Sequence, residues 1–425
     1  MQNDSSTIPT SQVRFRDDLY PRFKPDAARI QQYAECIDLL PPIEVNQHNE
    51  LIDGYHRWAA HKLIGRDTIA VTVTPTESDV ELDRLGVQRN STAGIQLSAD
   101  EKAKKARQWF AAGIPEPQIA ADLSVTMRTL SRWLADAKKT LKAERDQKIA
   151  DMWLACYTEE EIAEAVGIDQ STVNDMVNGE SWETATWQKS MILAEYREPE
   201  WTPPLYNVWT KAAKTNEVEH FGNSEATWTD NLVYLYTKPF DIVVDPFAGG
   251  GATVDVCKKR LRRYWASDRK PTAARFDIRG YDIAAGPPPL HKRWSQVALL
   301  FLDPPYWRQA QGQYSDDAAD LANMPLDEFT NTLAGFIRAC AGKMRGGAKI
   351  ALMLQPTQWK ADGKRFTDHV FDVTRAVVGD KLTVKTRISA PYSTQQATPQ
   401  QVEWAKANRE LLVISREIVV FEVAP

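Results

Sequence analysis

The chain has 425 residues, 43% of them hydrophobic and 26% charged, with a net charge of −5; it is too long for one ordinary core, and roughly two to four domains are expected. No apolar run approaches the roughly 20 residues that span a bilayer, and the leading MQNDSSTIPTSQVRFRDD lacks the apolar stretch of a secretory signal. Cys36, Cys156, Cys257 and Cys340 lie far apart with no CxxC pair, which argues against a disulfide framework or a cysteine zinc site and leads to the expectation of a cytoplasmic protein without a metal.

Residues 1–98 read as a mixed α/β module. VRFRDDLYPR precedes a helical stretch, DAARIQQYAECIDL; short strands PPIEVNQ and ELIDG flank a turn; then come a helix, HRWAAHKLIG, and a β-branched strand, TIAVTVTP. LIDGYHRWAAHKLIG, with DLYPR at Asp18–Arg22, resembles the ParB/sulfiredoxin superfamily. That resemblance implies a phosphate or nucleotide site at Gly54, His56 and Arg57, where a glycine beside a helix start offers N–H groups to an anion. Tyr55 and Ala59 replace two charged positions of the ParB box, and the sulfiredoxin cysteine is missing, which excludes sulfiredoxin chemistry. DNA positioning or protein docking is the alternative role.

Residues 99–180 read as all helix and repeat internally at an offset of 43: PQIAADLSVTMRTLSRWL lies over EEIAEAVGIDQSTVNDMV, with Ile119 over Ile162 and Leu130 over Val173. Each copy is a helix, a tight turn and a second helix, preceded by a helix carrying Trp109-Phe110 or Met152-Trp153. This patterning resembles tandem helix-turn-helix DNA-binding modules. Residues 101–148 carry eleven Lys and Arg against six Asp and Glu, whereas residues 149–180 carry eight acids and no Lys or Arg. A polyanion responds to local charge, because salt screens beyond roughly 10 Å. The first copy, with Arg128, Thr129 and Arg132, is therefore expected to hold double-stranded DNA. The second is read as a self-association or partner surface.

A Trp- and Pro-rich linker, residues 181–220, leads to residues 221–425, where apolar strands alternate with helices. DIVVDPFAGGGAT runs a β-branched strand into Asp245, then a glycine turn and a helix; RRYWASD ends in Asp268, 23 residues after Asp245. Glycines at the first strand tip and an acid at the second are how doubly wound sheets hold a nucleotide-like ligand. VALLFLDPPYW ends a third strand in Asp303-Pro304-Pro305-Tyr306. DPFAGGG and DPPY together resemble the DNA amino-methyltransferases, over residues from about 220 to the end.

The resemblance implies a Rossmann-like S-adenosylmethionine methyltransferase domain. The cofactor would lie on Asp245, Phe247, Gly249 and Gly251 with Asp268 at its ribose; Asp282 is a further candidate for the adenine end, and Phe221-Gly222 for the methionine end. Asp303 and the Pro304 carbonyl would accept the two amino hydrogens of a flipped base, Pro305 would stiffen the loop and Tyr306 would stack on the base. DPPY rather than SPPY favours adenine N6 over cytosine N4. About 50 residues separate the glycine loop from DPPY, too few for a target-recognition domain. Base reading is thus expected from the helix-turn-helix region or from WRQAQGQYSDDAADLANM.

The whole reads as a multidomain α/β protein: a ParB-like module, a helix-turn-helix region and a methyltransferase, an assembly resembling phage and mobile-element methylases. The alternatives are a ParB-like DNA-binding regulator with a vestigial methylase domain, a nuclease activity in the N-terminal module, and RNA as the substrate.

Overall fold

The structure, a computed structural model, describes residues 6–19, 26–93, 97–178, 193, 195–200, 204–210, 226–273, 275, 277–312, 316–358, 366–391 and 397–425. The chain divides into two compact units, residues 1–144 and 145–425, and the division falls inside one long helix. Among the described residues no helix is long and apolar enough to cross a membrane.

The first unit opens with β1 (Ser6–Pro9), α1 (Ala27–Glu35), β2 (Ile43–Val45), β3 (Leu51–Asp53), α2 (Tyr55–Leu63) and β4 (Thr68–Val73). The strands form one mixed sheet in the order β1-β4-β2-β3. β4 alternates as its sequence demands, with Ile69 and Val71 buried. The first helix is shorter than expected: Asp26 caps it by accepting from the Arg29 amide, and beyond Cys36 it continues only as a 3-10 turn. Gly54 starts α2 at φ +101°, and a Cβ there would stand 2.7 Å from Ile43 Cγ2, so both backbone and space require glycine.

α3 (Asp79–Ala93), α4 (Ala99–Ala111), α5 (Glu116–Asp122) and α6 (Met127–Leu154) follow. A capping box of Ser98 and Glu101 starts α4. Trp109, Ile119, Leu123, Leu130 and Leu134 form the core of this three-helix group. The 28-residue α6 then serves twice. Its last turns bring Ile149 and Trp153 to a second three-helix core with α7 (Glu159–Val166) and α8 (Gln170–Asn178), which contains Ile162, Val173 and Met176.

The offset of 43 holds in backbone geometry. Left-handed residues fall at Gly113 (φ +82°) and Ser124 (φ +50°) in the first group, and at Cys156 (φ +55°) and Gly167 (φ +68°) in the second. The turn hydrogen bonds match as well: Ile114 N–H to Trp109 O and Tyr157 N–H to Met152 O, both at 3.0 Å. The repeat therefore specifies the chain path, and side-chain identity at the turns varies around it.

The second unit contains α9 (Ala226–Tyr236), β5 (Ile242–Asp245), α10 (Ala252–Lys259), β6 (Arg263–Asp268), β7 (Arg279–Gly280), β8 (Val297–Leu302), α11 (Leu326–Ala341), β9 (Lys349–Leu354), α12 (His369–Val377), β10 (Leu382–Pro391), α13 (Pro399–Asn408) and β11 (Ser415–Val423). Its seven strands run in the order β10-β11-β9-β8-β5-β6-β7, with β5 to β9 mutually parallel and β11 antiparallel to both its neighbours. Every residue of β5 and β8 is buried, as expected for strands covered on both faces. β11 pairs antiparallel with β10, and α13 is inserted between the two.

Three arginines fasten the turn after α6 to this sheet. Arg263 Nε donates to Trp153 O at 3.2 Å with its guanidinium 4.2 Å from the Trp153 ring. Arg279 donates to Ala155 O at 2.8 Å and lies 4.2 Å from the Tyr157 ring. Arg293 donates to Cys156 O at 2.6 Å and Tyr157 O at 3.1 Å. The carbonyls that a helix end leaves unsatisfied thus find cationic donors, and the acidic helical group is joined to the seven-stranded sheet.

Candidate active site

In an open parallel sheet, ligands bind beyond the carboxyl ends of the strands where the connections reverse direction. Here that point lies between β5 and β8, and it is where the glycine turn and DPPY emerge. Asp245 ends β5 at 2% exposure and accepts from the Phe247 amide at 2.9 Å. Burial pushes its carboxyl up to about 7. The Thr253 hydroxyl and Phe247 amide oppose that rise, while the negative charges of Asp303 and Asp268 add to it.

Gly249 adopts φ +50° and Gly251, which starts α10, φ +92°. A Cβ on Gly251 would stand 2.7 Å from the Arg275 guanidinium, which is held by Asp255 and Asp277. Asp268 accepts from the amides of Gly249 at 3.1 Å and Lys270 at 2.9 Å, so the second strand end braces the glycine turn. Asp282 accepts from the Ala284 amide at 2.9 Å and pairs with Arg269 at 3.1 Å.

β8 delivers Asp303 to the same place. The Tyr306 hydroxyl donates to Asp303 Oδ1 at 2.9 Å. Beyond it Trp307 is buried, its ring N–H donating to Met324 O at 3.0 Å while its own carbonyl accepts from the Thr357 hydroxyl at 2.8 Å. Gln309 donates to the carbonyls of Gln355 and Pro356. The polar segment after DPPY is therefore tied down at several points, and Asp317 is paired with Arg269 at 2.6 Å.

One cleft collects most of these groups: Phe247, Gly249, Asp268, Asp282, Asp303 and Pro305 all line it. Asp245, Gly251, Pro304 and Tyr306 are not among its lining residues, and the predicted Phe221 and Gly222 lie outside the described residues. Tyr281, Ile283, Leu321 and Met324 add an apolar side that sequence reasoning missed. YDIAAG offered a faint signal for the first two; the others come from a loop whose return path no local pattern reveals. Carboxylates at the strand ends, backbone amides and an apolar wall fit a nucleoside-bearing cofactor. Among the described residues no cluster of three His, Cys, Asp or Glu is placed to hold a metal.

The other predicted residues are dispersed. Arg128 and Arg132 are exposed on α6, and Thr129 is half-buried there beside Thr126, which caps the helix. Part of the positive charge in this region is spent internally: Lys105 is buried and pairs with Asp83 at 2.7 Å, and Asp83 also accepts from the Trp109 ring N–H. At the N-terminal turn, Arg57 is engaged by Asp53 at 2.7 Å and by the carbonyls of Pro41 and Pro42. His56 Nε2 accepts from the Asp26 amide at 3.1 Å.

A family model described as DNA methylase, N6_N4_Mtase, matches residues 87–277, a span that holds the glycine turn and Asp268 and ends before DPPY. The chain is an S-adenosylmethionine-dependent DNA methyltransferase acting on an exocyclic amino group, adenine N6 or cytosine N4. S-adenosylmethionine is its methyl donor.

No curated protein matches the sequence. Among solved structures, truncated ParB from Caulobacter crescentus complexed with CTP-gamma-S is similar at 18% identity over 31% of this chain and 77% of that one, with a TM-score of 0.20. TrmN from Thermus thermophilus is similar at 14% identity over 48% of this chain and only half (50%) of its own, with a TM-score of 0.30. An rRNA methylase from Streptococcus thermophilus is similar at 12% identity over 47% and 96% of the two chains, with a TM-score of 0.28.

Proposed function

We propose that the chain methylates adenine N6 in double-stranded DNA, with Asp303, Pro304, Pro305 and Tyr306 as its catalytic residues. The observation that carries this reading is the meeting of Asp303 and Pro305 with Phe247, Gly249 and Asp268 around one cleft at the sheet's switch point. S-adenosylmethionine supplies an electrophilic methyl group there. Asp268 is the acceptor for its ribose, and Phe247 with Ile283 the apolar contact for its adenine.

An exocyclic amino nitrogen is a weak nucleophile because its lone pair is delocalised into the ring. Asp303 accepts a hydrogen bond from one amino hydrogen and the Pro304 carbonyl accepts one from the other, which turns the lone pair out of the ring plane. Tyr306 offers a ring face to the extruded base and offsets part of the few kcal/mol that unstacking costs. Orientation is then what the chain contributes to an in-line transfer, and the Asp303 carboxylate is placed to take the one amino proton that the methylated nitrogen gives up.

We further propose that α5 and α6 act as a helix-turn-helix on DNA through Arg128, Thr129 and Arg132. The domain plan is a module at residues 1–98, helical modules at 99–180, a linker at 181–220 and the methyltransferase at 221–425. A nucleotide at Gly54, His56 and Arg57 requires Arg57 to exchange its present partners. The acidic α7–α8 group is the surface for a second copy or a protein partner, and its surplus of Glu and Asp suits a basic partner better than a second copy, since like charges repel.

Transfer of label from tritiated S-adenosylmethionine to unmethylated bacterial DNA, followed by mass identification of the nucleosides, tests the reading. N6-methyl-2'-deoxyadenosine supports it. N4-methyl-2'-deoxycytidine keeps the mechanism and replaces the base; label on RNA alone overturns the substrate.

A further inference from the structure

Tyr306 is held from two directions. Its hydroxyl is engaged by Asp303, and the guanidinium of Arg416 lies over its ring, 5.0 Å from the centroid. Arg416 belongs to β11, opposite Ala390 of β10, and is 9% exposed. The same guanidinium lies 5.9 Å from the ring of Trp228, which is fully buried. A cation withdrawn from water between two aromatic rings has a strong orientational preference, because its attraction to the ring quadrupole is least screened there.

We infer that Arg416 is a positioning residue for methyl transfer, acting through Tyr306; this rests on the reading that Asp303 and Tyr306 receive the target base. With one face of the Tyr306 ring covered by the guanidinium, an extruded base has only the opposite face on which to stack. A ring held in that plane also keeps its hydroxyl on Asp303 Oδ1, so the direction of the carboxylate follows from the same contact. Arg416 thus couples the stacking platform to the acceptor of the amino hydrogen. Loss of the guanidinium leaves both groups in place but unaligned, a defect of turnover more than of binding.

The test uses the full chain, tritiated S-adenosylmethionine and unmethylated bacterial DNA. Arg416→Met lowers kcat by about tenfold or more while KM for DNA and for the cofactor stay within about threefold. Arg416→Lys, which keeps a cation, recovers a substantial part of kcat. In a Tyr306→Ala background, Arg416→Met changes kcat by less than about twofold, because the group it acts through is gone. An equal loss in both backgrounds overturns the inference, as does a raised KM for DNA with unchanged kcat. If Arg416→Met does not fold, Arg416→Lys measured in the two backgrounds carries the same comparison. Asp303→Ala separates the two readings: residual transfer at the wild-type rate refutes the site itself, whereas a dead Asp303→Ala beside a fully active Arg416→Met refutes only the role of Arg416.

Discussion

Replacing Asp245 by Asn stabilises the catalytic unit in alkaline buffer while weakening its use. Burial raises the carboxyl from its ordinary 3.8 to about 7. A group whose pKa is raised on folding contributes its full stability below the unfolded value and loses it as the pH climbs through the folded one. For Asp245 that window runs from about pH 4 to pH 7, so at pH 8.5 ionisation of the buried acid costs the apo fold roughly 4 kcal/mol at 1.36 kcal/mol per unit. At pH 5 the cost is only about 1.6 kcal/mol. Asn keeps an acceptor for the Phe247 amide and carries no charge. The margin of Asp245→Asn over wild type therefore widens by roughly 2–3 kcal/mol between pH 5 and pH 8.5. At about 2–4 °C per kcal/mol, this is a growing gap of roughly 5–10 °C in the melting midpoint. Because the chain has two compact units, the transition to follow is the one that added S-adenosylmethionine shifts upward. A gap that stays constant or narrows with rising pH refutes the assignment of a destabilising buried carboxyl.

Gly251→Ala forces a side chain into a left-handed residue and against Arg275. It is expected to cost about 1–2 kcal/mol in stability and to weaken cofactor binding by calorimetry, because Gly249 and the start of α10 move with it. Arg293→Ala removes two hydrogen bonds to the turn after α6; a loss of roughly 2–4 kcal/mol in urea unfolding of the second unit is expected. Arg128→Ala and Arg132→Ala each reduce affinity for duplex DNA, and each lowers the slope of log K against log salt by about 1 if it removes a phosphate contact. Unchanged slopes in filter binding place DNA elsewhere on the chain.

The parts of the site that were legible in sequence are those whose chemistry is local. Glycines and an acid at strand tips, and a proline pair after an apolar strand, announce the turn that carries them; Asp268 and Asp303 accordingly meet at one cleft. The 43-residue repeat was legible because buried apolar positions recur, yet its left-handed turns are hidden at Ser124 and Cys156, where no glycine marks them. Nor does the pattern reveal that α6 runs unbroken from the first helical group into the second, since charged residues on its exposed faces read as an interruption. Arg263, Arg279 and Arg293 look like ordinary surface cations until the fold places them against carbonyls more than a hundred positions earlier. The pairing of Arg416 with Tyr306 is of the same kind, set by an antiparallel strand that returns to the site from the end of the chain.

Amino-group methylation at Asp303 is decided by label transfer from tritiated S-adenosylmethionine to unmethylated DNA by wild type and Asp303→Ala side by side. The predicted result is label in N6-methyl-2'-deoxyadenosine with the wild-type chain and none with the variant, while calorimetry shows both binding the cofactor equally. Undiminished transfer by Asp303→Ala excludes Asp303 from the chemistry.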